Sequence, residues 1–221
     1  MEILLSQPKQ TFLNLTAEKR ASIEAVLVEE FATKGYQKAS LNAIVKELNI
    51  AKGSLYQYFE NKEAIFLYVF DCFTRLVKKS VGAAVDSEQP WEGDFWHAAH
   101  EVMLAGIRFI ERYPFYFQLY LQVLHEENIP HRELLLERVR LFSKEYFGPM
   151  IEAYQEKGVF VQTPAATIIF IIDAVMDRFF QGYARQYLDG GLDLNQKKIA
   201  DIELEIKQIL TTLKFGFSAR K

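Results

Sequence analysis

Apolar residues recur every three or four positions along nearly the whole chain, and the period-two alternation of a half-buried strand is almost absent. The pattern predicts helices and no sheet. Thr16 caps a first helix with Ile23, Val26, Leu27 and Phe31 on one side, closing at Gly35. Asn61 caps a long fourth helix whose stripe is Ile65, Phe66, Val69, Phe70, Phe73 and Val77. Glu63 lies in its first turn and Lys78-Lys79 in its last, a charge order suited to the helix dipole. Residues 82–93 (GAAVDSEQPWEG) read as a loop. Asp94 opens a fifth helix ending before Pro114, and a sixth spans about 115–127. Pro130 opens a seventh, bent at Gly148-Pro149 and ending at Gly158. Thr163-Pro164 starts an eighth, with Pro at its first helical position, that stops at Gly190-Gly191. A ninth runs from about Asn195 to Phe217.

The most informative stretch lies between the first and fourth helices, at residues 41–59 (LNAIVKELNIAKGSLYQYF). Ser40 can cap a second helix whose stripe is Leu41, Ile44, Val45 and Leu48. Asn49 sits where that helix must stop and tolerates the left-handed backbone such a stop uses, while Ile50 plugs the turn. Lys52-Gly53-Ser54 then opens a third helix with a cation, a residue without side-chain bulk and a hydroxyl. Leu55 and Phe59 share a buried face, leaving Lys52, Ser54, Gln57 and Tyr58 to look outward. Gly and Ser are poor helix formers, so close approach to a partner is the better reason for them. The stretch reads as a helix-turn-helix.

These residues resemble the TetR family of bacterial transcriptional regulators. The resemblance rests on FATKGYQKAS (31–40), IVKELNIAKGSLYQYF (44–59) and ENKEAIF (60–66), in the right order and spacing. It covers about 50 of the 221 residues; the rest matches only in length and helical character. Asn49 stands where the family usually has Gly. Ala51 stands where a capping Ser or Thr is common, so the recognition helix lacks a cap worth ~1 kcal/mol. The resemblance implies an all-α fold of about nine helices: a three-helix DNA-binding domain (1–62) and a larger ligand-binding and dimerisation domain (63–221). It further implies a homodimer formed through the last two helices, and a pseudo-palindromic double-stranded DNA operator. It implies repression rather than activation, and release when a small-molecule effector rearranges the fourth helix and spreads the two reading heads.

In that setting the third helix enters the major groove. Lys52 can reach guanine O6/N7 or a phosphate, and Gly53 lets the helix start approach closely. Ser54 suits a base edge or phosphate, and the Gln57 amide can pair with adenine N6/N7. Tyr56 and Tyr58 offer hydroxyls to phosphates on either side of Gln57, and Lys62 adds a cation beside the free N–H groups of the fourth helix. By resemblance, Ser40 and Asn42 also touch the backbone or an edge base. A packing role for Tyr56, and solvated roles for Lys62 and Asn42, are the plainer alternatives.

Charge is where the reading meets resistance, because the net formal charge is −3. Residues 1–62 hold 8 Lys/Arg against 7 Asp/Glu, and residues 63–221 hold 18 against 22. Non-specific DNA affinity should therefore be modest, with binding resting on a few placed cations and hydrogen bonds. A non-specific architectural DNA-binding protein, the rival reading, should be more basic. Residues 1–15 show no basic start followed by an apolar run, and no apolar run approaches the ~18 residues that span a bilayer. No membrane association is expected, and cytoplasm is the expected compartment. The one cysteine, Cys72, excludes an intramolecular disulfide and reads as core.

Half the residues are apolar and 14% aromatic, more than a reading head needs, which suggests a ligand pocket between the later helices. Candidate lining residues are Trp96, His100, Met103, Tyr113, Phe117, Tyr120, Tyr154, Phe170, Asp173, Arg178 and Tyr183. Asp173, on an otherwise apolar helix, needs a partner when buried; Arg178, a Lys or a cationic ligand would serve. Asp94, His97 and His100 share a helix face, but no fourth metal ligand accompanies them, so neither a metal nor a cofactor is expected. A helical di-metal enzyme would need Glu-x-x-His pairs, and none occurs; no P-loop, CxxC or nucleophile elbow is present either. No enzyme is expected.

Overall fold

The computed structural model describes residues 6–84 and 94–216, and among these it contains α-helices and no strand. In chain order they are α1 (Gln10–Leu13), α2 (Ala17–Lys38), α3 (Leu41–Glu47), α4 (Lys52–Tyr58), α5 (Lys62–Ala84), α6 (Phe95–Arg112), α7 (Pro114–His125), α8 (Arg132–Glu156), α9 (Ala165–Ala184) and α10 (Ile199–Phe215). Most of the expected caps are formed. The Thr16 side chain accepts from Lys19 N–H, Ser40 from Ala43 N–H, and Asn61 from Ala64 N–H at 2.8 Å. Asp94 Oδ1 accepts from Trp96 N–H at the start of α6.

Several expectations need correction. The four-residue α1 was not anticipated, because one turn is too short to show periodicity. α9 stops at Ala184 instead of continuing to Gly190-Gly191, and two short 3-10 turns follow at Gln186–Leu188 and Leu194–Gln196. The cause is the buried Asp189, whose carboxylate accepts from Gly191 and Leu194 N–H and turns the chain back. A Cβ on Gly182 would lie 2.8 Å from Asp189 Cα, so this return packs directly on the end of α9. Pro164 is the N-cap of α9 rather than its first helical residue, and α10 begins at Ile199. α8 runs on through Pro149, and α5 extends into the expected loop as far as Ala84. Residues 85–93 of that loop and Phe217 lie outside the described residues.

The chain forms two compact units. The first comprises Met1–Leu76 with Tyr113–Arg138. Its core is aromatic: Phe12, Phe31, Phe59, Phe66 and Phe70 are fully buried with Ile23, Leu27, Ile44, Leu55 and Ile65. Asp71 is buried among them, and Arg138 Nη1 donates to its Oδ1 at 2.9 Å. Cys72 is buried as expected, and burial pushes its thiol up to about 11. α2 and α7 pack along each other, with Gln122 Nε2 donating to Ala32 O and Gln37 Nε2 to Asn128 O. At the break in α2, Gly35 has φ 70° and ψ 167°, and the Glu126 carboxylate occupies the place where a Cβ would project.

The second unit comprises Val77–Arg112 with Val139–Lys221. α6 supplies Phe95, Val102, Met103 and Ile107 to its core, and these meet Phe147, Met150 and Ile151 of α8, Ile172, Met176 and Phe179 of α9, and Ile202 and Ile206 of α10. Asp173 is half-buried on α9, and desolvation raises its pKa against the opposing pull of a Ser143 hydrogen bond and Arg140. Its partners therefore come from α8, while Arg178 is exposed.

Replacing Gly35 by Ala forces a conformation that only glycine adopts comfortably and drives a methyl into Glu126. A loss of about 1–3 kcal/mol in denaturant unfolding is expected, and an unchanged midpoint would contradict the close packing. Asp173 binds its proton more tightly folded than unfolded, so it withdraws stability as pH rises from its ordinary range through the raised value. Asp173→Asn should therefore raise the thermal midpoint at pH 7, with the gain vanishing as pH falls to 3. A lower midpoint at pH 7 would show that ionised Asp173 is stabilising.

Candidate nucleic-acid interface

Ser40 closes the N-terminus of α3, and the Ser40 N–H donates to Glu30 Oε1 at 2.8 Å. Ile44 is buried, and Leu41, Val45 and Leu48 are half-buried around it. The turn follows from Asn49, which adopts φ 50°; Ile50 N–H returns to Val45 O at 3.0 Å and seals it. Ala51 gives no side-chain cap, so the first N–H groups of α4 carry no side-chain acceptor from that position.

α4 divides into two faces. Leu55 and Tyr58 are buried within it, and Phe59 immediately after it is buried too. Lys52, Gly53, Tyr56 and Gln57 are exposed, and Ser54 is half-buried. The chain breaks out of helix at Phe59, whose extended backbone turns its ring inward beside Phe12 and Tyr68. Tyr58 departs from expectation. It packs edge-on against Phe12, ring centroids 5.7 Å apart, and is buried instead of looking outward. The reason is α1, whose Phe12 fills the space below the end of α4. Tyr56, for which packing was the plainer alternative, is 42% exposed.

Asn42 is exposed on α3, next to the Ser40 cap. Lys62 is half-buried at the start of α5. Its Nζ donates to Gln37 O at 3.1 Å and sits over the Tyr36 ring, and desolvation lowers its pKa. This cation is thus already held by the end of α2. Gly53 is informative for what surrounds it. Its φ is not positive, and a Cβ there would meet nothing within 4 Å, so neither backbone nor packing requires a glycine.

Three residues that sequence reasoning missed complete the region. Lys9, Thr11 and Phe12 lie against the C-terminal end of α4. The available signal was modest: an aromatic residue three positions after a Lys, behind Pro8, in an otherwise polar lead.

The pocket candidates are divided between the two units. Tyr113, Phe117 and Tyr120 belong to the first, where Tyr120 stacks on Phe73 and against Phe117. Trp96 and Tyr154 gather around Phe95 and Phe160 in the second, and Met103 is fully buried nearby. His100 Nδ1 lies 3.0 Å from Glu101, and its Nε2 lies 4.0 Å from Glu203. Tyr183 donates to Glu111, and burial helps push its hydroxyl up to about 12. Phe170 and Arg178 do not face inward: Phe170 is 72% exposed, on the side of α9 that also carries Ile171 and Ala174. Among the described residues no three His, Cys, Asp or Glu side chains gather to hold a metal, and no helix is long and apolar enough to cross a membrane.

Residues 24–69 match the family described as "Bacterial regulatory proteins, tetR family". Across most of its length the chain is 23% identical to the "Probable acrEF/envCD operon repressor" of Escherichia coli (strain K12), over 201 residues and 86% of each protein. Its fold is similar to the crystal structure of a TetR family transcriptional regulator from Chloroflexus aurantiacus J-10-fl. The TM-score is 0.74 at 26% identity, covering 97% of this chain and 100% of that one. It also shares its fold with the transcriptional regulator FadR from Bacillus subtilis, solved in complex with stearoyl-CoA; the TM-score is 0.68 at 16% identity, covering 90% and 99%. The matched helix-turn-helix, the helical fold and these relatives agree: residues 24–69 carry the DNA-binding segment of the TetR family, and the chain is similar in sequence and fold to TetR-type DNA-binding transcriptional regulators.

Proposed function

We propose that the chain is a cytoplasmic repressor that holds a pseudo-palindromic operator as a homodimer and releases it when a small molecule binds. In this reading residues 1–62 form the reading head, and residues 63–221 bind the effector and dimerise. Lys52, Gly53, Ser54, Tyr56 and Gln57 meet the groove, with Gln57 reading a base and Tyr56 a phosphate. Ser40 and Asn42 flank the contact. Lys62 acts on phosphate only by exchanging its Gln37 contact for a DNA oxygen, and Tyr58 contributes chiefly by anchoring the helix.

The observation that carries the reading is Gly53. A glycine in an exposed helix costs about 1 kcal/mol relative to alanine, and here the space around it is open. A surface approaching from outside accounts for that cost. Dimerisation through α9 and α10 is supported by what they leave exposed: Phe170 at 72%, Ile171 at 46%, Leu204 at 54% and Phe215 at 52%. Apolar side chains in that number outside the core on the last two helices mark an interaction face. The effector class is suggested only by analogy, since FadR of this fold was solved with stearoyl-CoA. The aromatic interior of the second unit suits a ligand with an apolar portion.

Gly53→Ala separates the roles. The variant should melt higher, by the ~1 kcal/mol of helix propensity, yet bind its selected operator more weakly by about 1–3 kcal/mol, the cost of an intruding methyl. Undiminished affinity would remove the main support for this helix as the reader. Phe170→Glu combined with Leu204→Glu should sediment as a monomer at concentrations where the parent is a dimer. A persistent dimer would place the subunit contact elsewhere.

A further inference from the structure

A helix leaves its last four carbonyls without intrahelical partners. In α4 the first of these, Leu55 O, accepts from Phe59 N–H at 3.0 Å. The other three are taken by a segment some 45 residues away in sequence. Lys9 Nζ donates to Tyr56 O at 2.8 Å, the Thr11 hydroxyl donates to Gln57 O, and Lys9 N–H donates to Tyr58 O at 2.8 Å. The segment is itself fixed. Pro8 is buried, Phe12 is fully buried against Tyr58, Phe59 and Tyr68, and Arg20 Nη1 donates to Leu13 O at 2.9 Å.

We propose that residues 8–13 are a clasp that sets the pose of the recognition helix, with Lys9 and Thr11 as positioning residues for operator reading. The proposal rests on the reading of α4 as the groove-entering helix. The two ends of α4 are treated unequally: Ala51 supplies no cap at its start, while the clasp holds three successive carbonyls at its end. Free N–H groups and the bare Gly53 are thereby left toward the duplex, and rigidity is supplied from behind. Gln57 is the pivotal residue, because its side chain is exposed for a base while its own carbonyl is held by Thr11. A reading side chain must be held to within about 0.5 Å of its productive place. The clasp does this without touching a base, so it acts on discrimination between sequences and not on charge attraction to DNA.

Thr11 is exposed, and Thr11→Val alters no charge and little volume, so the variant folds. The full-length parent is first used to enrich a preferred duplex from a random pool. Parent, Thr11→Val and Thr11→Ser are then titrated on that duplex and on a random-sequence duplex across a range of salt. Thr11→Val should lose about three- to tenfold affinity on the selected duplex, the scale of one hydrogen bond. Its affinity for random DNA and its salt slope should match the parent's, and Thr11→Ser should restore discrimination. An undiminished selected-to-random ratio in Thr11→Val overturns the clasp. So does an equal loss on both duplexes with a flatter salt slope, which would make Thr11 a phosphate contact, and so does failure of Ser to rescue. A parent that enriches no sequence overturns the reading of α4, and the clasp with it.

Discussion

Seven residues are too few to stay helical by themselves, since isolated helices shorter than about a dozen residues are marginal in water. α4 persists because Leu55 and Phe59 are each 1% exposed in the core of the first unit. Burying two such side chains contributes about 3–6 kcal/mol. That anchorage is one-sided. It rotates Lys52, Gly53, Tyr56 and Gln57 into solvent, and every functional statement about the helix follows from this division of its faces. The aromatic cluster of Phe12, Tyr58, Phe59 and Tyr68 is the seat on which it rests.

The chain's charge fits a reader of this kind. An almost neutral head cannot rely on bulk attraction to phosphate, so binding must depend on a few groups in defined places. Placement in turn requires a stiff support. The support is visible around α2, where the end of α7 fills the space beside Gly35 and Gln37 bonds to Asn128. Within the second unit the opposite arrangement holds. Its interior is packed with aromatic and branched residues, while α9 and α10 keep large apolar side chains outside.

Local chemistry was legible in the sequence wherever a residue acts through its own neighbours. Thr16, Ser40 and Asn61 cap as their positions suggest, and Asn49 takes the left-handed turn. The apolar stripe of α5 is buried from Ile65 to Phe73. What was not legible depends on distant partners. Tyr58 looks outward on a helical wheel and is turned inward by Phe12, 46 positions earlier in the chain. Lys62 reads as a free cation, yet Gln37 O and the Tyr36 ring engage it. The sequence pattern carries α9 on to the glycine pair because the competing carboxylate, Asp189, lies beyond the helix it ends. Residue type marks Phe170 as a pocket candidate but does not reveal which way its ring points.

The central claim, that the polar face of α4 meets the duplex, is tested most directly by labelling lysines with an amine-reactive reagent. The full chain would be labelled alone and with its selected duplex, and each site quantified. Lys52 should be strongly protected by DNA, while exposed Lys198, far along the chain beside α10, should label equally in both samples. Equal labelling of Lys52 with and without the duplex, under conditions where the complex is formed, would contradict the account.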